Sequence, residues 1–210
     1  MKLTINTSFQ ENASSPCLLI LVDSEQLQQA STTYEINDLN NLIEAAQFKA
    51  GLCESLALIG KVATCANTTL IGLDKAAEIQ PAKLAKIAQT IIKASQKKFK
   101  QISIDISALA PEQHYLFALA LTQATYAFDE YKSKKNEFVL EDIHLIANNS
   151  SLNPQQLSLI HAVQSGQNLA RDLGNRPGNI CFPEYLAEQA HALAVKYPDL
   201  LKVTVINEQQ

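Results

Sequence analysis

Six apolar residues run without interruption from Cys17 to Val22, directly after Pro16. A run of this length and composition reads as a buried strand, and the rest of the chain has to supply what covers it. Leu3 and Ile5 alternate with polar neighbours and predict a first strand. Asn37 or Asp38 stands where it can cap a helix carrying Leu39, Leu42, Ile43 and Ala46 on one face. The stretches 56–62 and 69–73 predict a strand pair around a polar turn at Ala66, Asn67 and Thr68, with Gly60 weakening the first.

Pro81 opens the plainest helix. Leu84, Ile87, Ala88, Ile91 and Ile92 fall at helical spacing, with Lys83, Lys86 and Lys93 between them. Proline suits a first turn, because the N–H it lacks would have no partner there. Ile102, Ile104 and Ile106 alternate with Ser103 and Asp105 as a half-buried strand. Pro111 opens a second long helix through about Tyr131, apolar nearly all round from Tyr115 to Leu121 and so expected to be sandwiched. Residues 138–147 predict one more strand. This alternation defines an α/β fold in three layers, a mixed sheet flanked by helices.

The polar stretch Asn148–Ser151 closes that first domain at about residue 150. Asn153 and Pro154 then form a cap and a first helical residue for a helix to about Leu173. Pro183 opens another helix to about Lys196, and Val203 and Val205 predict a strand. The expected division is a domain over 1–150, a linking helix over 151–174, and the start of a second, truncated α/β domain over 175–210.

The chain has 210 residues, 47% of them hydrophobic and 18% charged, so it can bury a true core. A net charge of −4 gives no general pull toward nucleic acid or anionic lipid. Cys17, Cys53, Cys65 and Cys181 form no C-x-x-C pair and are expected as small hydrophobes. The first 16 residues lack a basic region followed by an apolar one, and no apolar run approaches a membrane span. A reduced, cytoplasmic protein with no membrane partner is expected.

Two segments carry a resemblance. One is Ala124-Thr125-Tyr126-Ala127-Phe128-Asp129-Glu130-Tyr131-Lys132-Ser133-Lys134-Lys135. The other is Ala170-Arg171-Asp172-Leu173-Gly174-Asn175-Arg176-Pro177-Gly178-Asn179-Ile180-Cys181-Phe182-Pro183, followed by Tyr185, Leu186 and Ala187. Together, and in this order, they resemble the M17 family of cytosolic leucyl aminopeptidases. The first is similar to the close of the long helix in that family's amino-terminal, macro-like domain. The second is similar to its junction with the catalytic domain. Gly178 replaces a proline of the usual Asn-x-Pro-Pro-Asn, and Phe182 replaces a threonine before the helix-opening proline. Phenylalanine cannot accept a bond from a free helix N–H, which costs ~1 kcal/mol.

The resemblance implies removal of amino-terminal residues from peptides by two divalent metals, manganese or zinc, in a cytoplasmic homo-hexamer. Such a metal pair bridges and acidifies a water and holds the developing oxyanion. The family's ligands are several carboxylates and a lysine around Asn-Thr-Asp-Ala-Glu-Gly-Arg-Leu, a string this chain lacks. Glu184 and Glu188 share a helix face and are expected to be a solvated pair. His114, His144, His161 and His191 are isolated, and none lies in H-E-x-x-H. There is no G-x-S-x-G elbow and no Walker loop. No catalytic, cofactor-binding or metal residue is therefore assigned, no cofactor is expected in this chain, and peptide substrates would be met through the missing catalytic domain.

A DNA-binding accessory or regulatory module is the alternative. It would use Lys97, Lys98 and Lys100, or Lys132, Lys134 and Lys135, clusters that equally suit solvated helix ends. A macro-type ADP-ribose site would need a Gly-rich phosphate loop. Gly51, Gly60, Gly72, Gly166, Gly174 and Gly178 form no G-x-G cluster.

Overall fold

A computed structural model of the chain describes residues 2–6, 15–25, 27, 36, 38–58, 62, 65–135 and 137–206. The chain divides into two compact units, Met1–Gln164 and Ser165–Gln210.

The first unit is built on a six-stranded sheet. Its strands are β1 Lys2–Asn6, β2 Cys17–Val22, β3 Ser55–Leu58, β4 Asn67–Gly72, β5 Gln101–Asp105 and β6 Asp142–Ile146, in the spatial order β1-β6-β5-β2-β4-β3. All neighbours are parallel except β3, which pairs antiparallel with β4 at one edge. The apolar run of β2 lies between β4 and β5 with every residue buried. Its odd residues face one layer and its even residues the other, because strand side chains alternate.

On the first face Leu19 and Leu21 join Ile71, Ile102, Ile104, Ile143 and Leu145. That face is covered by helix α2, Pro81–Ser95, through Leu84, Ile87, Ala88, Ile91 and Ile92. Helix α3, Pro111–Ala124, adds Phe117, Ala118 and Leu121. On the second face Leu18, Ile20, Val22, Leu70 and Ile146 pack with Leu39, Phe48 and Ala50. There the short helix α1, Leu39–Ala45, supplies Leu39, Leu42 and Ile43. Helices on both faces of a mixed sheet make the three-layer α/β fold.

Several elements differ from the sequence expectation. Asp38 precedes α1 but has φ 56° and makes no side-chain capping bond; Asn37 and Gly60 lie outside the described residues. Asn67 and Thr68 belong to β4 and not to a turn. β5 is buried on both faces, Ser103 and Asp105 included, because it runs between β2 and β6 beneath both layers. The strand expected over 138–147 pairs only from Asp142. Before it, the Val139 and Leu140 N–H groups donate to the Gln96 carbonyl at 2.8 and 3.2 Å.

Helix α3 stops at Ala124, not Tyr131. Its last carbonyls are taken from outside the α-helical ladder. The Thr122 carbonyl accepts the Thr125 hydroxyl at 2.7 Å and the Gln164 side-chain amide at 3.3 Å. The segment 125–135 therefore follows the long helix, whose last residue is Ala124. Leu116 stands 41% exposed, so α3 is sandwiched on all but one side.

The second unit is helical. Helix α4, Pro154–Asn175, ends in it, and helix α5, Pro183–Lys196, lies wholly within it. The Arg176 guanidinium hydrogen-bonds the Tyr185 hydroxyl and sits over its ring, 5.3 Å from the centroid. No α5 residue is fully buried. The strand expected at Val203 and Val205 is absent: residues 201–206 form no ladder. A strand exists only with a hydrogen-bonding neighbour, and no strand occurs among the described residues of this unit.

Candidate functional site

Open α/β sheets bind ligands at the carboxyl ends of their strands, where neighbouring connections leave in opposite directions. Here that place lies between β2 and β5. β2 is followed by Asp23, whose Oδ1 accepts the Glu25 N–H at 2.7 Å and whose Oδ2 accepts the Ala76 N–H at 3.0 Å. β5 ends in Asp105, whose Oδ1 accepts the Ser107 N–H at 2.8 Å. Both carboxylates are buried and shape the turns that leave the sheet. The adjacent concavity is lined by Ser24, Glu25, Asn40 and Glu44 among others. Two glutamates there repel a phosphate.

Beside them the 47–54 segment crosses the end of β4. Gln47, Ala50 and Cys53 all have left-handed backbones, with φ of 52°, 54° and 64°. Glu54 holds the segment, its Oε2 accepting the Gly51 N–H at 2.8 Å and the Lys49 N–H at 3.1 Å. Only a glycine fits at position 72, because a Cβ there would stand 2.2 Å from the Gly51 carbonyl oxygen.

The histidines stay apart. His114 is buried in the first turns of α3, with Nε2 against the Leu109 carbonyl at 3.1 Å. Burial pushes its pKa below the usual 6.5. His144 on β6 meets the Thr4 hydroxyl through Nδ1 at 2.5 Å, and burial lowers its pKa too, against the opposing pull of Asp142. His161 is half-buried on α4 and His191 exposed on α5. Glu184 and Glu188 are both exposed on α5.

Among the described residues no three His, Cys, Asp or Glu side chains come together in a way that could hold a metal ion. A pair of catalytic ions needs such converging donors, and the described residues do not fit one.

Cys17 and Cys65 are buried, while Cys53 and Cys181 are half-buried, and none of the four is in a disulfide. Burial, reinforced by Cys65, pushes the Cys17 thiol up to about 11, which leaves it inert at neutral pH. The lysine clusters are partly neutralised: Lys100 lies 3.9 Å from Glu141, and Lys132 lies 2.6 Å from Asp129. The sequence reading did not single out Asp23, Glu54 or Gly72. Asp23 carried a usable signal, an aspartate directly after an apolar run and placed to accept an N–H two residues on.

Fold and sequence together define the class. Residues 18–135 match the cytosol aminopeptidase family, N-terminal domain. That match covers more than half of the chain, and the chain belongs to this peptidase M17 family. It is 64% identical over 210 residues to a "Probable cytosol aminopeptidase" of Acinetobacter baumannii, covering 100% of this chain and 44% of the relative. A protein of the same name from Acinetobacter baylyi is 58% identical, with the same coverage. The chain thus spans less than half the length of the curated relatives it matches. Among solved structures it is similar to a tomato leucine aminopeptidase mutant, with a TM-score of 0.80 at 19% identity, over 100% of this chain and 45% of that one. The bottromycin maturation enzyme BotP in complex with Mn gives a TM-score of 0.65 at 16% identity, over 88% of this chain and 37% of that one. No helix among the described residues is long and apolar enough to cross a membrane.

Proposed function

We propose that this chain is the amino-terminal portion of a metal-dependent leucyl aminopeptidase, serving assembly or regulation while other residues of the whole protein perform catalysis. The observation that carries the reading is the family match at 18–135, to a domain described as N-terminal, in a chain spanning 44% of its relatives. It is supported by the described His, Asp, Glu and Cys side chains, no three of which come together in a way that could hold a metal ion. In this reading residues 1–150 form the amino-terminal domain, 151–174 link, and 175–210 begin the peptidase domain. The whole protein is cytoplasmic, holds two manganese or zinc ions, and joins into a hexamer.

The test is leucine release from a leucyl chromogenic substrate by the purified 210-residue chain, with manganese or zinc added. No rate above buffer is expected. Metal-dependent turnover that survives repurification and disappears with a chelator would overturn the assignment of chemistry to other residues.

A further inference from the structure

We draw no further inference here: the strongest candidate, the exposed apolar surface of the second unit, with Leu186 and Val195 on α5 and Leu200 and Ile206 after it, carries nothing because nothing in the structure shows what covers it.

Discussion

Gly72 is the position where a single atom matters most. It ends β4 beneath the Ala50–Gly51 backbone, and its N–H donates to the Glu54 carbonyl at 2.8 Å while its carbonyl accepts the Cys53 N–H at 2.9 Å. The neighbour that a Cβ would strike is backbone held by its own bonds, the Ala50 carbonyl accepting the Asp74 N–H at 2.8 Å and the Gly51 carbonyl the Glu54 N–H at 2.9 Å, so it cannot readily step aside. Gly72→Ala is expected to destabilise the protein by about 3 kcal/mol, at the upper end for overpacking, read from the urea midpoint. Histidine gives a second prediction at this scale. His114 and His144 both have pKa values lowered by burial relative to 6.5. The unfolded chain therefore takes up protons that the folded one refuses. Stability is complete above about pH 6.5, falls as the pH drops below it, and levels off below the folded pKa values. Urea titrations between about pH 7.5 and 5.5 should show this slope, and a double His114→Gln, His144→Gln variant should flatten it. A stability that rises on acidification over that range would contradict the burial described for both rings.

At the scale of elements, the starts of the long helices were legible, the ends of α4 and α5 fell within two residues of expectation, and the end of α3 did not. Pro81, Pro111, Pro154 and Pro183 each open a helix where the sequence put them. Proline fixes its own φ, so it signals its position without tertiary help. Asn153 does the same through chemistry: its Oδ1 accepts the Gln156 N–H at 2.9 Å while the Gln156 side chain accepts the Asn153 N–H at 3.0 Å. The end of α3 needed Gln164, some forty residues away, and no local pattern reveals that. The same holds for Ser103 and Asp105, whose polarity reads as an exposed face until both neighbouring strands are known. For the candidate site the sequence showed which residue types were missing. The close approach of the 47–54 segment to Gly72 stayed hidden, because the two become neighbours only after the sheet is ordered. Phe182 offers the test at this scale. It occupies the cap position of α5 without a capping bond. Phe182→Thr is expected to stabilise that helix by about 1 kcal/mol, measured as slower amide exchange in its first turn.

For the whole molecule, charge decides what it will not attract. Lys100 and Lys132 each have a carboxylate partner, and the remaining lysines of those clusters sit on an acidic protein. Nucleic-acid affinity grows with the number of phosphates neutralised, and a few scattered cations neutralise few. No gel shift of duplex DNA is expected at micromolar protein in low salt; a salt-sensitive shift would revive the accessory-module alternative.

Among the described residues the two faces of the sheet are unequally guarded. One carries α2 and α3, with many fully buried residues, and the other carries α1, with Leu39 its one buried residue. The tether between α1 and the sheet is the 47–54 segment, three of whose residues pay for left-handed backbone. The molecule should therefore come apart in stages. Deuterium should enter the amides of residues 42–46 through a partial opening that leaves β2 and β5 protected, and mild denaturant should widen that interval before the sheet itself gives way.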